Sequence, residues 1–164
     1  MALCKQILLL GGNQNDVVSS IKDAVKQLSF RLGEPIKQSF YYESEPWGFE
    51  ASQNFINQVV EFRSSLSPIE LLDLTQATEK ALGRKEKTGT HYESRPIDID
   101  ILFIDDQQVE TTRLVVPHPK LHERRFTLLP LLDEWNNMIH PKIKKTMEQL
   151  LITCSDTGVV NRVD

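Results

Sequence analysis

One short segment constrains this 164-residue chain more than any other: Arg95-Pro96-Ile97-Asp98-Ile99-Asp100-Ile101. Its alternation reads as a β-strand over 97–104, because alternate side chains of a strand share a face. Ile97, Ile99 and Ile101 then point into a core, and Asp98 and Asp100 stand side by side on the other face. Aspartate is depleted in strands, and two carboxylates about 6–7 Å apart along one repel unless a cation lies between them. The simplest compensating partner is a hard divalent ion. Mg²⁺ is commonly held by one or two carboxylates, with substrate phosphates filling other positions. The motif alone is equally compatible with a solvated strand face carrying two acids.

The rest of the chain builds a fold around that strand. The apolar run at 7–10 reads as a buried strand ending at the turn signal Gly11-Gly12-Asn13. Asn15 and Asp16 are N-cap candidates for a helix with Val17, Ile21, Val25, Leu28 and Leu32 on one side, stopped by Gly33 and Pro35. Strands are expected at 36–42 and 55–62, with a loop at 43–53 between them. Ser67-Pro68-Ile69-Glu70 is a capping box with proline at the first helical position. It opens a helix whose stripe is Leu71, Leu74, Thr78 and Leu82, closed by Gly83. Residues 84–96 are polar and aperiodic and read as a loop. A short strand is expected at 114–116, and helices at 121–135, interrupted at Pro130, and at 146–152. The order strand-helix-strand-strand-helix-strand is the α+β, ferredoxin-like βαββαβ pattern, an antiparallel sheet with two helices on one face and C-terminal helical additions. The second face is to be covered by loops and the C-terminal third, or left open for binding.

Composition narrows the class without naming a function. A net charge of −4 does not suit coating nucleic acid by bulk charge. No apolar run approaches the ~18–20 residues of a membrane span, and the N-terminus lacks a signal-peptide pattern. Cys4 and Cys154 lie too far apart for a C-x-x-C half-site, so a reducing cytosol is the default location. The expectation is a single domain over 1–164.

Other residues carry weaker signals. Arg84, Lys85, Lys87, His91 and Arg95 precede the acid pair, and Arg113, His118, Lys120, Arg124 and Arg125 follow it. Cations near a carboxylate pair are what a metal–polyphosphate site needs, though a salt-bridged surface has the same composition. The Gly11-Gly12-Asn13 turn matches neither G-x-x-x-x-G-K-[ST] nor G-x-G-x-x-G. Phe55 and Phe126 are able to stack on a flat heterocycle, with Asn57, two residues along the same strand face, reading its polar edge. They serve equally as core. Trp47 is ambiguous in the same way, and His122 and His140 carry no usable signal.

Six segments together resemble the 6-hydroxymethyl-7,8-dihydropterin pyrophosphokinase family of folate synthesis. They are Leu10-Gly11-Gly12-Asn13, Ser44-Glu45-Pro46-Trp47-Gly48, Phe55-Ile56-Asn57, Glu79 with Gly83-Arg84, Arg95 to Ile101, and Arg113-Leu114-Val115-Val116-Pro117-His118. The resemblance runs from about residue 5 to 135. It implies transfer of the β,γ-pyrophosphoryl group of ATP to the pterin hydroxymethyl oxygen, with release of AMP, on a ferredoxin-like fold. It implies two Mg²⁺ ions held by Asp98 and Asp100. Phe55 and Phe126 would sandwich the pterin, while Ser44, Trp47, Asn57 and Asp98 would contact it. Glu79, Arg84, Arg95, Ile101, Arg113, His118 and Arg124 would line the ATP site. Arg84 and Arg95 would act with the two aspartates in the closed complex. The partners implied are the two small-molecule substrates, with no nucleic acid, no membrane and a monomeric cytoplasmic enzyme. Glu86, Phe55 and Pro119 depart from the commonest family residues. The competing readings are a non-catalytic ferredoxin-like binding module and a different metal-dependent phosphoryl or nucleotidyl transferase.

Overall fold

The computed structural model describes residues 2–46, 53–83 and 96–163. Its centre is β1 (Cys4–Gly12), which pairs antiparallel with β4 (Phe55–Ser64) on one side and β5 (Asp98–Ile104) on the other. Beyond β4 come β3 (Tyr41–Ser44) and then β8 (Val160–Val163), giving the order β5-β1-β4-β3-β8. The short β2 (Lys37–Gln38) also pairs with β4. A separate hairpin joins β6 (Val109–Glu110) to β7 (Val115–Val116). Every pairing is antiparallel, so successive side chains on each strand go to opposite sides of one sheet.

One side is closed by α1 (Val17–Leu32) and α2 (Pro68–Ala81). Asp16 caps α1, its carboxylate accepting from Ser19 N at 3.2 Å. Ser67 and Glu70 cap α2 reciprocally, as the sequence predicts. Both helices bury their stripes in a cluster that includes Leu8, Leu10, Ile21, Leu28, Val60, Phe62, Leu71, Ile99 and Ile101. Each such side chain contributes about 1.5–3 kcal/mol by leaving water.

Among the described residues, the other side is covered at one end by the C-terminal third. There α3 (Arg125–Glu134) and α4 (Met147–Ile152) bury Leu128, Leu131, Trp135, Met147 and Leu150 against Ile7, Leu9, Val59 and Phe103. Glu61 lies in this layer, and its carboxylate accepts from Trp135 Nε1 at 2.9 Å. The same side carries Tyr42, whose hydroxyl donates to Asp133 of α3 at 2.7 Å.

Four expectations are corrected. Gly11 and Gly12 do not form the turn; they continue β1, opposite Asn57 and Ile56. The strand expected at 36–42 is split into β2 and β3 at Ser39, whose hydroxyl accepts from Val59 N and so replaces a ladder bond. The loop expected from 43 starts later, since Glu43 and Ser44 belong to β3. Pro130 does not interrupt its helix: α3 runs through it, and the break falls at Arg124, between a 3₁₀ turn (Leu121–Glu123) and α3. Packing against the sheet and α4 outweighs the roughly 3 kcal/mol that an internal proline costs. The strand β8 has no counterpart in the expected elements.

Candidate active site

The register sets the site. Asp98 pairs with Gly11, Gly11 with Asn57, and Asn57 with Tyr42, so these four residues lie on one rung across β5, β1, β4 and β3. Residues directly opposite in an antiparallel ladder project to the same side. Asp98 and Asn57 therefore face the α3 side, with the bare backbone of Gly11 between them. The next rung toward α3 places Asp100 opposite Leu9, and Leu9 opposite Val59. Phe55 lies two residues before Asn57 and shares its side, opposite Ser44 at the end of β3. The isoleucines between the acids point the other way: Ile99 and Ile101 are buried in the α1/α2 cluster. The alternation read from the sequence is thus present, and it leaves Asp98 and Asp100 half-buried on the second face, at the end away from the α3/α4 cluster.

Three supports hold the acid-bearing strand. The side chain of Glu79 on α2, itself buried, accepts the backbone N–H of Ile99 at 2.8 Å. That bond grips the strand midway between Asp98 and Asp100. A register shift places Ile7 opposite Phe103 but Leu8 opposite Ile101, leaving Leu102 as an extra residue in β5. The Leu102 carbonyl accepts the N–H of His118 at 3.0 Å, after a cis Val116–Pro117 bond. His118 Nε2 then lies 4.0 Å from Asp100 Oδ2.

His118 is neutral at physiological pH. Burial pushes its pKa down to about 4, and the charges of Arg124 and Lys120 lower it further against the opposing pull of Asp98. Its Nδ1 accepts the N–H of Lys120 at 3.1 Å, so the ring proton sits on Nε2, the atom facing Asp100. The contact is between a neutral donor and a carboxylate, not an ion pair.

Arg124 is buried, with its guanidinium 5.5 Å from the centroid of the Phe126 ring. Phe126 itself packs on the edge of the second core. Arg113 is held on α2 by Asp73 at 2.7 Å and Gln76 at 3.4 Å. Gln76 lies one turn before Glu79 on α2, so Arg113 meets that helix next to the turn that carries Glu79. Ile101 turns its side chain into the core, leaving only its backbone for a ligand. Ser44 Oγ and Asn57 Nδ2 are buried with no hydrogen-bond partner among the described residues. A buried polar atom left so costs about 1–3 kcal/mol, and a ligand with a polar edge would recover it. Trp47, Arg84 and Arg95 lie outside the described residues.

The donor set suits a hard cation. Two half-exposed carboxylates on one strand face, with a neutral histidine beside them, offer oxygen ligands and room for phosphate oxygens. Sequence reasoning missed two contributors. The turn expected at Gly11-Gly12-Asn13 hides Gly11, although a glycine inside a strand marks a close approach. Tyr42 enters the sequence reading only as the last residue of the strand expected at 36–42; its bond to Asp133 fixes α3 beside the site and, after burial, helps raise its phenol pKa to about 12.

Comparisons with known proteins agree with this geometry. The model of the 7,8-dihydro-6-hydroxymethylpterin-pyrophosphokinase (HPPK) family matches residues 7–136. A 2-amino-4-hydroxy-6-hydroxymethyldihydropteridine pyrophosphokinase of Porphyromonas gingivalis is 42% identical over 139 residues, 82% of this chain and 92% of its own length. The Aquifex aeolicus enzyme of the same name is 43% identical over 140 residues, 85% and 86% of the two chains. Among solved structures, an HPPK-DHPS in complex with substrates superposes with a TM-score of 0.74 at 14% identity. It covers 93% of this chain, which spans only 43% of that longer one. At that identity the likeness concerns the fold.

Proposed function

The chain belongs to the 7,8-dihydro-6-hydroxymethylpterin-pyrophosphokinase family, and from that premise we propose how its residues carry the reaction. It is an ATP-dependent diphosphotransferase of folate synthesis, moving a pyrophosphoryl group to 6-hydroxymethyl-7,8-dihydropterin. The hydroxymethyl oxygen forms a bond to the β-phosphorus of ATP. The bond from that phosphorus to the α,β-bridging oxygen breaks, and AMP leaves with the electron pair. The hydroxyl proton is released.

The observation that carries the reading is the rung Asp98–Gly11–Asn57. It puts an amide able to read a heterocycle edge and a carboxylate on one side of the sheet, two strands apart, or about 10 Å. Asn57 and Ser44 satisfy the polar edge of the pterin, and Phe55 and Phe126 supply flat apolar surface for its ring. Asp98 and Asp100 hold two Mg²⁺ ions. When bound, Mg²⁺ neutralises phosphate charge and makes the hydroxyl more acidic. Arg124 adds a buried cation, and His118 offers its Nε2 proton to an anionic oxygen. Arg113 and Glu79 line the nucleotide side along α2, with the Ile101 backbone at the sheet edge. Arg84 and Arg95 are assigned to the phosphates in the closed complex. The strand order supports reading the core as ferredoxin-like, and we take the enzyme as a monomeric, cytoplasmic single domain. No helix among the described residues is long and apolar enough to cross a membrane.

The test is direct. Incubation with Mg-ATP and 6-hydroxymethyl-7,8-dihydropterin is expected to release AMP in step with the diphosphorylated pterin. Release of ADP instead would overturn the assignment of pyrophosphoryl transfer.

A further inference from the structure

Gly11 occupies an unusual place for a residue without a side chain. It lies inside the central strand, where glycine costs stability, and its neighbours across the ladders are Asp98 and Asn57. A Cβ built on it would lie 2.8 Å from Asn57 Cγ, with the Asn57 amide oxygen closer still, and 2.8 Å from the Ile56 carbonyl oxygen. The Asn57 side chain thus folds down into the space that any other residue at position 11 would fill. Asn57 is buried, and its amide nitrogen has no partner among the described residues. Its position is therefore set by packing against β1 rather than by a hydrogen bond from that nitrogen.

We propose that Gly11 is a positioning residue for substrate recognition: its missing side chain seats the Asn57 amide low on the sheet, at the height where it reads the polar edge of the heterocycle. The proposal rests on the pterin reading given above and deepens it. With any side chain at position 11 the amide lifts toward the pocket, and the pterin meets a displaced donor. The nucleotide half of the site, built from β5, α2 and the segment carrying His118, is untouched. The loss therefore falls on the pterin alone.

Two measurements on the full chain test this. In Gly11→Ala, KM for the pterin is expected to rise about tenfold, the worth of one misplaced hydrogen-bonding group. The Kd of a non-hydrolysable Mg-ATP analogue should stay within about twofold. Selectivity for the pterin over an analogue lacking the ring amino group should fall to the value of Asn57→Ala, and Gly11→Ala/Asn57→Ala should be no worse than Asn57→Ala. Unchanged selectivity, or losses that add in the double variant, would overturn the proposal. The second measurement is urea unfolding of the same four proteins, which requires no turnover. Gly11→Ala should cost less stability when Asn57 is already alanine. If Gly11→Ala alone fails to fold, recovery of folding in the double variant supports the proposal, and failure of both overturns it by placing the crowding on the Ile56 carbonyl. A parent protein that releases no AMP but shows the stability coupling would fault the reaction and not the seating of Asn57.

Discussion

The two faces of the central sheet are made by the same strands, yet they do different work. On the α1/α2 face most alternate residues are apolar, with Leu8 and Leu10 on β1, Val60 and Phe62 on β4, and Ile99 and Ile101 on β5, and the few polar ones, Gln6, Gln58 and Ser64, are buried beside them. On the α3 face the pattern changes halfway. Ile7, Leu9, Val59 and Phe103 are buried under α3 and α4, whereas Asp98, Asp100 and Asn57 occupy the other end. A strand with period-two alternation lets one set of residues hold the fold while the other set binds. The acids can therefore be placed for chemistry without interrupting the core behind them.

This contrast can be broken at several points. The largest effect is expected from Asp98→Ala, which should cut turnover by at least about 10³-fold, since metal-held charge stabilisation is worth several kcal/mol. Its urea midpoint should hold or rise without metal, because one of two repelling carboxylates is gone. On the opposite face Phe62→Ala should do the reverse. It should cost about 3–5 kcal/mol in urea unfolding, by cavity formation, while the molecules still folded keep the parent KM values.

Two milder substitutions sharpen the comparison. Ser67→Ala removes the α2 cap and Tyr42→Phe removes the bond to Asp133. Each should cost about 1 kcal/mol. Only Tyr42→Phe should raise KM for the pterin, because α3 carries Phe126. Equal kinetics in the two variants would show that α3 is not held by this bond.

The smallest effect concerns acid. His140 packs edge-on against Phe103, and its Nδ1 accepts the N–H groups of Lys142 and Ile143, both at 3.1 Å. Burial, then the nearby charges of His122 and Lys142, pushes its pKa down from 6.5 to about 4. The folded state favours the neutral ring, so the unfolded chain takes the proton first. The stability is complete above about pH 6.5 and falls as pH drops toward 4. His118, also held near 4, contributes in the same direction. His140→Asn should therefore flatten the slope of unfolding free energy between pH 6.5 and 4 without abolishing it. An unchanged slope would assign the acid sensitivity elsewhere.

Much of the fold was legible in local pattern. The alternation around Asp98 and Asp100, the Asp16 cap and the Ser67–Glu70 box each act over a few residues, and each stands where it was read. Strand periodicity alone puts Asp98 with Asp100 on one side of their strand, and Phe55 with Asn57 on one side of theirs. Less legible were effects that depend on a distant partner. The break at Ser39 needs Val59. The uninterrupted passage of α3 through Pro130 needs the sheet and α4 beneath it. The strand β8 pairs only because β3 leaves an edge.

The sequence by itself determined which residues share a strand face, where the helices begin, and that two aspartates stand together against a row of isoleucines. These follow from backbone geometry and need no knowledge of neighbours. Only the tertiary structure decided that Asp98, Gly11 and Asn57 occupy one rung, that Glu79 grips the strand between the acids, and that the extra residue at Leu102 brings His118 beside Asp100. Register is a relation between strands far apart in the chain. A shift of one residue would turn every side chain on a strand to the other face, so the burial of both faces together selects the pairing that assembles the site.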